Sequence, residues 1–113
     1  MRILETPVTI DLLKEMAEGS FGDLVKAVVD VDRELIAVDA ELHSDLEALL
    51  LANGSSQESL WGINFYPDLH GNDFLEFDSM INMRPSHGNM SRGVDDEKIR
   101  QEIIVVVDKW IKR

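Results

Sequence analysis

The spacing of apolar residues along this chain switches repeatedly between a helical and a strand period. Between Thr9 and Gly19, Leu12, Leu13, Met16 and Ala17 fall on one helical stripe. Thr9 can cap that helix, Gly19 stands where helices commonly stop, and Pro7 keeps the preceding residues extended. Residues 25–31 and 35–40 are β-branched and apolar runs separated by Asp32, Arg33 and Glu34, which predicts a hairpin with a polar turn. Asp30 and Asp32 have the spacing that opens a calcium loop, but the glycine and closing glutamate of such a loop are missing. Both read as turn and edge residues.

Ser44, Asp45, Leu46 and Glu47 form a capping box, which predicts a helix from Ser44 to about Asn53. It would bury Leu46, Leu49 and Leu50 and end at Gly54, with residues 55–58 as a polar linker. In residues 60–66, strict alternation places Trp61, Ile63 and Phe65 on one face and Gly62, Asn64 and Tyr66 on the other. In residues 74–84 it places Leu75, Phe77, Ser79, Ile81 and Met83 opposite Phe74, Glu76, Asp78, Met80, Asn82 and Arg84. Pairing the two strands across residues 67–73 makes Asn64, Tyr66, Glu76, Asp78, Asn82 and Arg84 one polar surface, the best candidate site. The last helix is predicted to start with Asp95 as N-cap, with Ile99, Ile103, Val106, Val107 and Trp110 as its stripe. Ile104, Val105 and Ile111 widen that stripe, an excess a second copy of the chain could bury.

The resulting expectation is one α+β domain over residues 1–113. It has an antiparallel sheet of about four strands and three helices, in the order α-β-β-α-β-β-α, with the helices mainly on one face. The acids Glu34, Asp39, Glu41, Asp45, Glu47, Glu58, Asp68, Asp73, Glu76 and Asp78 fall in a stretch without a single Lys or Arg, and the net charge is −11. That balance repels phosphodiester backbones and argues against nucleic acid; it attracts a basic protein partner or a divalent cation. Cysteine is absent, which removes disulfides and thiolate chemistry. With no signal-peptide core and no apolar run of spanning length, a cytoplasmic protein without membrane contact is expected.

Candidate chemistry is central in the chain. Glu41, His43, Asp45 and Glu47 recur at every second position, a ligand spacing suited to a strand and not to the helix predicted there. The possible metal ligands are His43, Asp45, Glu76 and Asp78; no cofactor is required by the sequence beyond a possible divalent cation. The possible catalytic groups are Glu76, Asp78, Arg84 and His43, with the two carboxylates as an acid and base pair. Arg84, at a strand end before Pro85, could clamp an anion, although a salt bridge to Glu76 or Asp78 is the commoner fate of such an arginine. The segment 84–93, with His87, Asn89 and Arg92, bends the backbone and exposes polar groups, so Asn64, Tyr66, Asn82, Arg84, Asn89 and Arg92 are the candidate ligand-binding set. Asn89 could equally serve a turn, and Arg92 could pair with an acid. Trp61 followed by Gly62 is the mark of another backbone packing closely over the strand. No serine has a nucleophile-elbow context.

The stretches ELHSDLEALLLANGSSQESLWGINFYPDL and EFDSMINMRPSHGNMSRGVDD resemble a small bacterial family of unknown function, carrying acidic-His, LWG-N-YP and INxRP-GN-SR blocks. The resemblance runs from Val25 through the last helix and implies no activity, cofactor or catalytic residue. The chain departs from the family's pattern at Ser44, where the resemblance implies alanine, and at Met90, where it implies a basic residue. The second departure weakens an anion-binding role for the loop. The leading functional expectation is a non-enzymatic interaction or structural domain, acting as a homodimer through the terminal helix or with a basic partner. The alternatives are a small enzyme or a ligand- or metal-binding protein using the polar sheet face, and a regulatory member of a toxin and antitoxin pair.

Overall fold

In a computed structural model describing residues 1–113, the chain runs β1 (Arg2–Ile3), β2 (Val8–Thr9), α1 (Ile10–Glu18), β3 (Val25–Asp30), β4 (Leu35–Val38), α2 (His43–Ala52), β5 (Leu60–Phe65), β6 (Leu75–Glu76), α3 (Glu97–Trp110) and β7 (Ile111–Lys112). The α+β class is as expected, and the sheet is larger. Its five strands are ordered β1-β4-β3-β5-β6, every pair antiparallel, and β2 and β7 form a separate parallel pair.

The β3–β4 hairpin forms as predicted. Asp30 makes its turn: Oδ1 accepts from the amides of Asp32 and Arg33, both at 2.9 Å, and Glu34 closes it at φ 54°. The strands are runs and not clean alternations because both sheet faces are covered. On one face Val29, Ile36, Ile63 and Phe65 pack under α1 and α3; on the other Val28, Ala37 and Leu60 pack under Leu46 and Leu50 of α2. The expected one-sided arrangement is therefore corrected: α2 stands opposite α1 and α3. Leu46 and Leu50 are fully buried, and each contributes about 1.5–3 kcal/mol by leaving water.

Both later helices are capped away from the predicted residue, α2 two residues earlier and α3 one residue later. α2 starts at His43 with Leu42 as an N-cap that offers no side-chain bond. His43 is buried and bonded to the Ile63 carbonyl, which fixes the start before Ser44 and puts the serine inside the first turn. α3 is capped by Asp96, which accepts from the Lys98 amide at 2.9 Å. Asp95 belongs to the preceding loop, accepting from the Met90 amide at 2.6 Å and the Ser91 hydroxyl at 2.5 Å. Those bonds, the serine first, hold its carboxyl below the ordinary carboxylate range.

Ile111, expected to be surplus apolar surface on the last helix, leaves the helix and pairs with Val8 as β7, where it is buried. Val105 stays exposed and Ile104 half-buried, so the apolar excess is smaller than the sequence implied.

The largest departure is the strand expected over residues 74–84. Only Leu75–Glu76 pairs as strand; short 3-10 turns follow at Met80–Asn82 and Pro85–His87. Beyond Glu76 the chain crosses over β5. Ser79 lies so close to Gly62 that a Cβ on the glycine would come within 2.4 Å of the serine Cβ. The close approach expected at Trp61–Gly62 is made by the side chains of Ser79 and Ile81 and not by another backbone, and the predicted antiparallel ladder is absent at that point.

Candidate functional site

Where β6 ends, side chains take over the outer edge of β5. Asn82, fully buried, accepts from the Gly62 amide at 2.8 Å and donates to the Gly62 carbonyl at 2.9 Å, as a neighbouring strand would. One residue pair further along, the Arg84 guanidinium donates to the Leu60 carbonyl and stacks 4.7 Å over the Trp61 ring. Burial lowers the Arg84 pKa, against the opposing fields of Glu47 and Glu58. Arg84 pairs with neither Glu76 nor Asp78, so both its expected place on their face and the expected salt bridge are corrected. Its carbonyl bonds carry it to the Trp61 side of the strand.

Asn89 organises the loop after it, donating to the carbonyls of Asn82 at 2.7 Å, Ser91 at 3.1 Å and Gly93 at 2.9 Å, and accepting from the Asp95 amide at 2.9 Å. Asn82, Arg84 and Asn89 are therefore occupied within the fold. Three of the six candidate ligand-binding residues thus make side-chain hydrogen bonds that hold the fold together.

The other three converge. Register places Lys26 on β3, Asn64 on β5 and Glu76 on β6 on one rung, all on the sheet face that α2 covers. Asn64 Nδ2 donates to Glu76 Oε1 at 2.8 Å and to the Asp78 carbonyl at 3.2 Å. The Tyr66 hydroxyl donates to the same Glu76 oxygen at 3.1 Å. Burial first, and the Glu76 bond next, push the Tyr66 phenol up from 10.0. Arg92 Nε lies 2.8 Å from Asp78 Oδ1, the pairing with an acid that its sequence context allowed.

His43 roofs this rung from the first turn of α2. Its Nε2 lies 2.8 Å from the Ile63 carbonyl, which can only accept, so Nε2 carries the hydrogen. Burial holds the imidazole below its usual 6.5, the Lys26 charge acts in the same direction, and the Ile63 carbonyl, the Asn64 side chain and Asp78 oppose. The neutral ring then presents Nδ1 as an acceptor. Beside it, Asn64 is 94% buried, and its Oδ1 has no hydrogen-bond partner at all. Asn64 Oδ1 therefore lacks a donor while the ring is neutral, and a proton on His43 would supply one, which is the direction in which Asn64 moves the ring's pKa.

These groups line a cleft of about 330 Å³ between the start of α2 and the β5–β6 edge. A larger groove of about 660 Å³ lies alongside, with Glu47, Glu58, Met80 and Met83 in its walls. His87 and Arg84 reach that groove and not the cleft. Asp45 is exposed on α2 and does not line the cleft, so His43, Asp45, Glu76 and Asp78 are not brought together as a ligand set. No group of three or more His, Asp or Glu side chains converges to hold a metal ion.

Lys26 is the site residue that the sequence reading passed over. A lone lysine inside the apolar run VKAVVD was its signal, but only register joins it to Asn64 and Glu76.

Fold and cleft together define a small α+β protein with helices on both sheet faces and a polar cleft at the sheet edge. Residues 2–110 match DUF5674, a family of proteins of unknown function, and the chain belongs to that family. No curated protein and no solved structure matches it. No helix is long and apolar enough to cross a membrane.

Proposed function

We propose that this protein binds a small polar molecule in the cleft between α2 and the β5–β6 edge. The observation that carries the reading is Asn64 Oδ1, a buried acceptor without a partner in the wall of a cleft. Binding sites place a few convergent polar groups in a concave, partly apolar wall, and here Leu24, Leu42 and Ile81 supply the apolar part. The volume, at the low end for ligand pockets, favours a small molecule over a cofactor or a peptide.

A thermal-shift screen of the protein against a library of small polar metabolites tests the reading, because a ligand that binds only the folded state raises its melting temperature by mass action. At least one compound is expected to give a saturable rise that is lost in Asn64→Leu or Lys26→Met. A library without a single saturable response would overturn it.

A second reading, a non-enzymatic interaction domain with a basic partner, is supported by the neighbouring groove. Met80 and Met83 are exposed there beside Glu47 and Glu58, an adaptable apolar surface with an acidic rim. A homodimer through α3 has less support, since Ile111 is buried within the chain and only Ile104 and Val105 remain for it.

A further inference from the structure

Lys26 and Glu76 stand two strands apart on one rung, with Asn64 between them. Adjacent strands are spaced by about 4.8 Å, so the two Cα atoms are separated by roughly 10 Å. The lysine makes no ion pair; its Nζ rests 4.9 Å over the ring of Phe21, in the loop after α1, where the cleft adjoins a second hollow that Lys26 also lines. Glu76 uses one oxygen, Oε1, for both Asn64 and Tyr66, and Oε2 makes no bond within the protein. The remaining charges, Asp78 and Arg92, neutralise one another. The cleft is therefore lined by a lysine without an ion pair, a glutamate with one carboxylate oxygen free of protein partners, and, on the strand between them, the partnerless Asn64 Oδ1 beside His43.

Resting on the reading that this cleft binds a ligand, we infer that its occupant is a small zwitterion of the amino-acid type. Its ammonium group would donate to Asn64 Oδ1 and Glu76 Oε2, and its carboxylate would face Lys26. An ammonium has three donors and no acceptor, which matches a wall of acceptors. A bare amine would leave Lys26 unpaired and a bare carboxylate would meet Glu76, so each half alone is disfavoured by like charge or by an unmatched group.

The test is isothermal titration of the intact protein with glycine, alanine, serine, β-alanine and 4-aminobutyrate, beside ethylamine and propionate as the separated halves. At least one zwitterion is expected to bind saturably, at least tenfold more tightly than either half. Lys26→Met and Glu76→Gln are each expected to weaken it at least tenfold. Glu76→Gln keeps an oxygen for Asn64 and Tyr66, so its unliganded melting temperature should match that of the parent and separate lost recognition from lost folding. Binding of ethylamine or propionate as tightly as the zwitterions would overturn the inference. So would indifference of zwitterion affinity to both substitutions. Hits from the metabolite library of another chemical class, with no zwitterion among them, would overturn the ligand class and leave the cleft as a binding site; silence of the whole library would remove both.

Discussion

The His43 ring couples the cleft to pH. Its folded pKa lies below the ordinary 6.5, chiefly through burial, so the unfolded chain takes up that proton first as pH falls. Its contribution to stability is full above pH ~6.5 and is lost as pH drops from there through the folded value. Denaturant midpoints measured from pH 8 to pH 5 are expected to fall in that window, and the fall should flatten in His43→Gln; equal slopes in both proteins would contradict the assignment. Asp95 and Glu97, whose depressed pKa values come first from Ser91 and from Gln101, shift stability only at lower pH, within the carboxylate range. Asn82 is the residue on which the β5 edge depends. Asn82→Ala leaves the Gly62 amide and carbonyl unsatisfied and takes one of two donors from the Arg92 carbonyl, a loss on the order of 3 kcal/mol. Asn82→Asp should be no better, because its second oxygen would face both carbonyls; chemical denaturation of the two variants checks this.

At the scale of elements, the edge of β5 explains why the strand expected over residues 74–84 is broken. Alternation told correctly that this segment borders β5, but beyond Glu76 it misplaced the faces, since Ser79 and Ile81 lie over Gly62 on the α2 side, and it could not tell backbone pairing from side-chain pairing. Asn82 at Gly62 and Arg84 at Leu60 do with side chains what a longer β6 would have done with its main chain. The same crossing predicts that Gly62→Ala, whose new Cβ would meet Ser79, costs about 1–3 kcal/mol, and that Ser79→Gly restores part of it in the double mutant. The helix and hairpin periods were legible because they arise from neighbours in sequence: the Thr9 cap of α1, the stop at Gly19 and the Asp30 turn all stand where the residues placed them. What was not legible depends on partners far along the chain. β1 and β4, β2 and β7, and the rung of Lys26, Asn64 and Glu76 are all joined by register between distant residues. Ile111 shows the cost of reading period alone, since its fate was set by Val8. Accordingly Ile111→Asp is expected to unfold the protein, whereas Val105→Glu, at a position 61% exposed, should change stability by less than ~0.5 kcal/mol in the same urea titration.

For the molecule as a whole, a net charge of −11 on 113 residues makes self-repulsion a standing cost of the folded state. The surface ion pairs, Lys14 with Asp68 at 3.7 Å and Lys109 with Glu34 at 3.9 Å among them, are exposed and offset little of it. Raising sodium chloride from low to physiological concentration should therefore raise the melting temperature, because screening acts on the many repulsions more than on the few attractions. Trp110 donates to the Glu34 carbonyl at 2.8 Å and β7 pairs with β2, so the two ends of the chain are tied to the same face of the sheet. The opposite face carries α2, and with it the cleft that gives the molecule its proposed role. The most direct measurement is a nitrogen-15 NMR titration with the amino-acid panel, following backbone and side-chain amides together. The account predicts saturable shifts centred on the Asn64 side-chain amide, the amide of His43 and the amides of Lys26 and Glu76. Spectra that do not move, or shifts centred on the Met80 and Glu47 groove instead, would contradict it.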